Sequence, residues 1–256
     1  MRDQVRAVLD RAGLEVRRRG GGGFRSTLGE VLGDLRERGV APATLVDVGV
    51  AHGTPDLYGA FPDARLLLVE PLAEYEGTLR AICAERDGRW TIAAAGPQAG
   101  STTLHVHRAP VLSSTSGGAR DDGGETTARE VPVVRLDDLV EEHALPGPYL
   151  LKVDVEGAEL DVVAGAPRLL EQADAVVLEA ALFRLVGTNP ELADVIGAMR
   201  ERGFVPYDLF AADRRPLDGA LAKLDVCFVP EGSPLRASHA YARPDQADAL
   251  YRRWGF

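Results

Sequence analysis

The sequence has few cysteines and no long apolar run, and each of these scarcities excludes a class of protein. Cys83 and Cys227 are too few and too far apart for a disulfide framework or a metal-type spacing, so we expect a reduced, cytoplasmic setting. No apolar run approaches the length that crosses a bilayer, and the first residues contain no apolar signal segment. A formal net charge of −10 argues against a broad electrostatic contact with nucleic acid or anionic lipid. We therefore expect neither nucleic acid nor a membrane as a partner.

Lysine is scarcer still, since Lys152 and Lys223 are the only two lysines and arginine supplies the remaining basic side chains. From the sequence alone, this preference for arginine over lysine is a compositional bias to which no function can be assigned. Lys152 is expected to be structural, paired with a carboxylate.

What is present suits a globular α/β domain of ordinary composition. The 256 residues are 45% hydrophobic and 27% charged, enough to bury a proper core. We predict a main domain over residues 43–230, with a helical extension at each end, 1–42 and 231–256. The first extension is predicted to hold an amphipathic helix over residues 1–16, followed by the four glycines Gly20–Gly23.

Short apolar segments that alternate with helical patterns predict a parallel sheet. Such runs are typical of strands that are covered on both faces. The clearest are Thr44–Val48, Arg65–Val69, Tyr149–Val153 and Ala175–Leu178. In an open, doubly wound sheet, ligands bind outside the carboxyl ends of the strands. That rule places four acids on one rim: Asp47, Glu70, Asp154 and Glu179.

The turn after the first predicted strand favours S-adenosylmethionine (SAM) as the ligand. Gly49 would let the backbone approach a ligand closely. Glu70 follows some twenty residues later, where an acid can accept hydrogen bonds from ribose hydroxyls. A dinucleotide fingerprint needs three glycines, whereas this turn has only Gly49 and Gly53. Asp47 would repel a diphosphate but suits the ammonium of SAM. A nicotinamide site and a plain structural turn remain the alternatives.

A second motif, KVDVEGAEL at Lys152–Leu160, carries a resemblance to a known family. Here the sequence resembles the FkbM family of methyltransferases. The matching residues are Lys152, Asp154, Glu156, Gly157, Glu159, Gly165 and Ala166. Further matching segments are LVDVG at Leu45–Gly49, VEP at Val69–Pro71, VRLDDL at Val134–Leu139 and KLDVCFV at Lys223–Val229. The resemblance covers roughly residues 26–230.

This resemblance implies a class I methyltransferase (Rossmann-like) fold, an α/β doubly wound sheet preceded by N-terminal helices. It implies seven strands in the order 3-2-1-4-5-7-6, with the last strand antiparallel. It also implies O-methylation of a small hydroxylated molecule, such as a sugar or a glycosylated natural product, with SAM as the cofactor. The residues expected to bind the cofactor are Asp47, Gly49, His52, Gly53, Glu70, Pro71, Ala94, Ala95 and Asp154.

Methyl transfer to a hydroxyl requires alignment and removal of a proton, by a side-chain base or with the help of a metal. Asp154 is the first candidate for the base, and it could instead cap the helix that follows. His52 and Glu156 are the other catalytic candidates; His52 could equally contact the cofactor, and Glu156 could equally cap that helix. Asp154 and Glu179 could together hold Mg²⁺, because hard cations prefer carboxylates.

Two loops are candidates for further contacts. Ser113–Thr127 is polar, rich in glycine and long enough to cover the site, although it could also be a simple connection. Leu182–Asn189 is expected to contact the acceptor, with Arg184 as a clamp. A nicotinamide-dependent oxidoreductase and a non-catalytic SAM-binding module remain the rival functions, and a homo-oligomer is left open.

Overall fold

The computed structural model describes residues 25–107, 113–115, 126–185, 187 and 189–254. Within these ranges a large mixed sheet has helices on both faces, and a smaller sheet joins it where the Ala93 amide donates to the Glu70 carbonyl. The helix predicted over residues 1–16 and the glycines Gly20–Gly23 lie outside the described residues.

The elements follow one another with short connections. The α-helices are α1 (Leu28–Glu37), α2 (Pro55–Ala60), α3 (Glu76–Glu85), α4 (Leu136–Glu142), α5 (Glu159–Ala164), α6 (Pro167–Leu170), α7 (Leu192–Glu201) and α8 (Pro244–Trp254). The strands are β1 (Thr44–Val48), β2 (Arg65–Glu70), β3 (Gly88–Ile92), β4 (Ala94–Ala95), β5 (Gly100–His107), β6 (Thr126–Val134), β7 (Tyr149–Val153), β8 (Ala173–Ala181), β9 (Phe204–Arg214) and β10 (Leu221–Pro230). None of the described helices is long and apolar enough to cross a membrane.

The large sheet has the order β3-β2-β1-β7-β8-β10-β9. Its first five strands are parallel, whereas β10 runs antiparallel to both β8 and β9. This order confirms the predicted class I methyltransferase arrangement with an antiparallel last strand. The remaining strands form a small sheet, β4-β6-β5.

Two hydrophobic cores, one on each face of the large sheet, explain why the sequences of its central strands are continuous apolar runs. All five residues of β1 and all five of β7 are buried. Val46 packs against the cluster that contains α4 to α7, whereas its neighbour Leu45 packs against the cluster under α1 to α3. Helix α1, within the predicted N-terminal extension, buries Val31, Leu32 and Leu35 in the second core.

The structure differs from the sequence-based expectations in a few elements. The sequence predicts only a short strand over Val131–Val134, whereas β6 covers Thr126–Val134, because its polar first half pairs residue by residue with β5. Strand β8 likewise continues beyond Leu178 to Ala181, so Glu179 lies within it. Helices α2 and α6 were not anticipated; each is short and begins at a proline.

The loops after β1 and β7 are packed against each other, and this contact shapes the rim. The Asp154 amide donates to the Val48 carbonyl at 3.0 Å. Gly49 has φ +79, and a Cβ there would lie 1.9 Å from the Asp154 carbonyl oxygen. A side chain at Gly49 would therefore collide with the protein's own backbone, so the glycine is required by the packing of the two loops.

Candidate active site

A cleft opens at the carboxyl ends of β1, β2 and β7, and its empty space, open solvent included, is about 580 Å³. Its apolar side chains include Leu72, Tyr75, Ala94, Ala95 and Leu104. Its polar side chains include Glu70, Ser113, Thr115, Asp154 and Glu156. An apolar concavity with a few convergent polar groups is typical of a small-molecule site.

The charged side chains of this cleft are acidic. Among the described residues that line it, Glu70, Asp154 and Glu156 are carboxylic acids, and none is lysine, arginine or histidine. Carboxylates in a partly enclosed site attract cations and repel phosphates. The cleft therefore suits a cofactor with positive charge and no diphosphate.

Glu70 ends β2, and its carboxylate is fixed by the main chain. Its Oε2 accepts the Ala51 amide at 2.9 Å, and its Oε1 accepts the Leu72 amide at 3.0 Å. Burial raises the pKa of Glu70, and the two amide hydrogen bonds oppose that shift. Each carboxylate oxygen keeps a further lone pair with which it can accept a ligand hydroxyl.

Asp47 lies elsewhere than expected. It sits within β1 rather than at its end, is fully buried, and is not among the residues that line the cleft. Its Oδ2 accepts the Tyr58 hydroxyl at 2.6 Å, and its Oδ1 lies 3.8 Å from Lys152 Nζ. The structure thus places Asp47 beneath the rim and outside the lining of the cleft, whereas the sequence predicts a direct contact with the cofactor.

Lys152 connects this buried acid to the cleft. Its Nζ lies 3.2 Å from Asp154 Oδ2, and the Asp154 side chain is 44% exposed. Burial lowers the pKa of Lys152, but the carboxylates of Asp47 and Asp154 outweigh burial and leave that pKa raised. A charged ammonium therefore supports Asp154 from below and fixes one of its oxygens.

The other predicted cofactor residues divide into two groups. Gly49, Pro71, Ala94 and Ala95 line the cleft. His52 and Gly53 are not among its lining residues. His52 is exposed and meets the ring of Tyr75 edge-on, with centroids 5.0 Å apart, so it supports a lining residue from outside. Its predicted roles in catalysis and in cofactor binding stay predictions, since it lies outside the lining of the cleft.

A second cavity adjoins the cleft and shares Glu156 with it; its empty space, open solvent included, is about 300 Å³. Its lining residues are Glu156, Gly157, Glu159, Glu179, Ala181, Leu185, Asn189, Pro190 and Lys223. Two of these, Leu185 and Asn189, belong to the segment that was predicted to contact the acceptor. Arg184 does not line it; its side chain is 70% exposed and lies 3.8 Å from Glu191.

Glu156 stands between the two cavities in an uncommon backbone conformation. Its φ is +52, a left-handed value that costs a non-glycine residue about 1–3 kcal/mol. The Ser114 hydroxyl donates to the Glu156 carbonyl at 2.6 Å, which ties part of the predicted covering loop to this turn. Strain of this kind is typical of functional sites, where surrounding contacts hold it in place.

Three carboxylates meet at the boundary of the cavities. Asp154, Glu156 and Glu179 each place one oxygen within 4.8 Å of the others. Burial, with the neighbouring Asp154 carboxylate, raises the pKa of Glu179 to about 8, although Lys223 opposes the shift. A carboxyl group with such a pKa can exchange a proton near neutral pH.

The predicted Mg²⁺ site at Asp154 and Glu179 does not fit this arrangement. Lys223 Nζ lies 2.8 Å from Glu179 Oε1 and 3.2 Å from Glu156 Oε1. Mg²⁺ needs its oxygen ligands at about 2.0–2.1 Å. A metal ion and the ammonium would therefore compete for the same carboxylates.

Several lining residues escaped the sequence analysis. Tyr75, Leu104 and Val155 are apolar or aromatic residues within ordinary core patterns, and only the fold turns them toward the cleft. Lys223 lies on β10, far along the chain from the motif that it joins. The one signal that could have found it was the scarcity of lysine.

A protein-family model described as "Methyltransferase FkbM domain" matches residues 47–206 of this chain, more than half of its length. The match begins within β1, ends in β9, and includes both cavities apart from Lys223. No curated protein matches the chain.

Similar solved structures include methyltransferases with different acceptors. Magnesium protoporphyrin IX methyltransferase (ChlM) from Synechocystis PCC 6803 is 13% identical, with 89% of this chain and 96% of that chain covered and a TM-score of 0.44. Precorrin-6y C5,15-methyltransferase from Geobacter metallireducens GS-15 is also 13% identical, with 80% and 93% covered and a TM-score of 0.40. The 1,6-didemethyltoxoflavin-N1-methyltransferase of Burkholderia thailandensis is 11% identical, with 79% and 76% covered and a TM-score of 0.42. Their names give three different acceptors.

Proposed function

The chain belongs to the FkbM family of SAM-dependent methyltransferases, and from this premise we propose that it methylates a hydroxyl oxygen of a small molecule. A sugar or a glycosylated natural product is the proposed acceptor class. The observation that supports this proposal is the pair of adjoining cavities, which meet at carboxylates. One cavity has the acidic, phosphate-repelling character that SAM requires, and the other is a polar space for an acceptor.

The residues of the larger cleft fit SAM in shape and charge. Glu70 would accept the ribose hydroxyls, and the apolar side chains of Leu72, Tyr75 and Leu104 would pack against the adenine ring. Asp154 would face the positively charged end of the cofactor. When bound, SAM supplies a methyl group activated by its sulfonium.

The chain's own contribution to the reaction is to orient a hydroxyl and to remove its proton. Asp154 lines the donor cleft and is close to Glu179, which lines the second cavity. We assign Asp154 as the general base, and Glu179 as the group that accepts a hydrogen bond from the acceptor hydroxyl. Because Mg²⁺ does not fit beside Lys223, no step is assigned to a metal.

The rival functions differ in what they require of the site. A nicotinamide oxidoreductase needs a diphosphate-binding turn, and the acidic cleft disfavours one. A non-catalytic SAM-binding module would have no use for the strained Glu156 or for a carboxylate cluster beside a second cavity. Cys83 and Cys227 are free thiols, and on this cysteine usage we propose a cytoplasmic location.

Calorimetry and product analysis together test the proposal. We expect SAM and S-adenosylhomocysteine to bind, and NAD⁺ not to bind, in side-by-side titrations. With ¹³C-methyl-labelled SAM and a panel of sugars and glycosides, the product should show an O-methyl carbon signal. A product methylated on nitrogen or carbon would refute the O-methyl assignment, and binding of NAD⁺ in place of SAM would refute the whole proposal.

A further inference from the structure

The two lysines of the chain both place their ammonium groups among the carboxylates of the active site. Lys152 Nζ is 3.2 Å from Asp154, and Lys223 Nζ is 2.8 Å from Glu179. They are two of 29 basic residues, and arginine occupies every other basic position. A compact ammonium can contact several closely spaced carboxylates at once, whereas the flat, forked guanidinium of arginine is best suited to pairing with one carboxylate in its own plane.

Lys223 has the position that a cation among these carboxylates would need. The oxygens of Asp154, Glu156 and Glu179 converge within 4.8 Å, which is a spacing suited to a shared cation. The ammonium of Lys223 is within hydrogen-bond distance of two of these three acids. Its side chain is 23% exposed, so solvent screens these contacts only in part.

The fold holds this ammonium in place from several sides. Lys223 lies on β10, where it pairs with Ala181 of β8. On the other side, the register of the pairing between β10 and β9 shifts both before and after Lys223. Glu179 is on the neighbouring strand β8, and Glu156 is in the strained turn after β7. Three segments of the chain that are distant in sequence therefore meet at one ammonium.

We propose that Lys223 is the resident cation of this active site, where it takes the place of a divalent metal. Its ammonium holds Glu156 and Glu179 together at the boundary between the two cavities, so that methyl transfer needs no metal ion. Lys223 is a positioning residue, because it acts through these carboxylates. The statement about turnover rests on the proposed function, whereas the statement about metal binding does not.

Metal binding by variants gives the sharpest test. Mn²⁺ alone, followed by electron paramagnetic resonance, should bind weakly to the wild-type protein. Lys223→Ala should bind Mn²⁺ at least about tenfold more tightly, because three converging carboxylates lose their internal cation. Lys223→Arg, which keeps the charge, should not gain this binding. The double variant Lys223→Ala/Glu179→Gln should lose the gain, which would locate the ion.

Arg168→Ala is the matched control. Arg168 is itself exposed and also pairs with three acids away from the cleft, namely the exposed Asp138 and Glu141 and the buried Asp137. Arg168→Ala changes the net charge by the same amount as Lys223→Ala, and it should produce neither Mn²⁺ binding nor a change in activity. A similar gain in Arg168→Ala would show a general charge effect and would refute the proposal.

Turnover provides the second readout. The wild-type enzyme should keep full activity after treatment with a chelator. Lys223→Ala should lower kcat by about 100-fold while the KM for SAM stays within a factor of about three, and Lys223→Arg should restore part of kcat. Loss of wild-type activity on chelation with recovery on addition of Mg²⁺, or a failure of Lys223→Ala to gain Mn²⁺, would overturn the proposal.

Folding and acceptor identity are controlled separately. If Lys223→Ala does not fold, as judged by its thermal transition, Lys223→Gln removes the charge while it keeps a polar side chain, and the same Mn²⁺ outcome is expected. The Mn²⁺ measurement requires no acceptor. A failure to find a methylated product would therefore count against the proposed function only. The Mn²⁺ measurement would still decide whether Lys223 is the resident cation.

Discussion

At the scale of single residues, Glu70 has the contacts that most narrowly define its role. Both carboxylate oxygens accept main-chain amides, so the side chain has one orientation in the cleft. Its remaining lone pairs can accept hydrogen bonds from a ligand in the cleft that Glu70 lines. Such a group serves two purposes, since it holds the loops around it and presents acceptors to the ligand.

We expect Glu70→Ala to weaken SAM binding by about 1–3 kcal/mol, because one or two hydrogen bonds to the ribose are lost. The loss of an acceptor for the Ala51 and Leu72 amides should also lower the melting temperature. Calorimetry below the melting transition measures the first effect. Glu74→Ala, which removes a nearby exposed acid paired with Arg129, should leave SAM affinity unchanged. Unchanged affinity in Glu70→Ala would disprove the ribose contact.

Asp154 allows a test that separates chemistry from cofactor binding. Asp154→Asn should lower kcat by about 100-fold or more, because an amide cannot take the acceptor's proton. The dissociation constant for SAM should change by only a few-fold. Stopped-time assays and calorimetry measure the two quantities, and Asp161→Asn on the exposed face of α5 is the matched control. Equal losses in both quantities would indicate a cofactor ligand or a structural cap instead of a base.

At the scale of elements, the site depends on how the turns after β1 and β7 approach each other. Gly49 is the point of closest approach, since it has a left-handed backbone and faces the Asp154 carbonyl. Neighbouring strands β7, β8 and β10 then bring their polar side chains to the same rim. The geometry of the acids is thus a property of strand neighbours rather than of any one motif.

Gly49→Ala should destabilise the fold by roughly 2–5 kcal/mol, because its Cβ would meet backbone atoms that cannot move away cheaply. Gly33→Ala is the matched control, since Gly33 lies in helix α1 with nothing within 4 Å of the added Cβ. That control should be neutral or stabilising by up to about 1 kcal/mol. Thermal unfolding of both variants decides the matter, and a stable Gly49→Ala variant would contradict the close packing of the two turns.

At the scale of the whole molecule, the buried acids of the site cost stability. Burial raises the pKa of Glu159 to about 7, although the Val155 and Gly157 amides donate to its Oε1 and oppose the shift. A carboxyl group whose pKa is higher in the folded state binds its proton more tightly there. Its contribution to stability is therefore complete at low pH and is lost as the pH rises from about 4.5 toward 7.

We expect Glu159→Gln to remove this part of the pH dependence. The amide oxygen can still accept the two main-chain hydrogen bonds, and nothing remains to titrate. Relative to the variant, the wild-type protein should lose up to about 3 kcal/mol between pH 4.5 and pH 7.5. Denaturant unfolding across this range measures the difference. Parallel curves for the two proteins would mean that Glu159 has an ordinary pKa in the folded state.

Much of the fold could be predicted from local patterns. The bounds of β1 and β7 were predicted correctly, because strands buried on both faces are continuous apolar runs. The seven-strand order came from the family resemblance rather than from periodicity. The sequence did not predict the short helices α2 and α6 or the polar half of β6, since tertiary contacts rather than an apolar pattern stabilise them. The rim acids Glu70 and Asp154 were predicted for a sound reason: they end or follow parallel strands.

The sequence by itself determined which residues end the central strands, and hence that Glu70 and Asp154 lie at one edge of the sheet. Only the tertiary structure decided that Asp47 points beneath that edge and that Lys223 reaches Glu156 across 67 residues of chain. The reason is physical. Periodicity and turn chemistry act over a few residues, whereas the side chains that share a site are chosen by strand order and register.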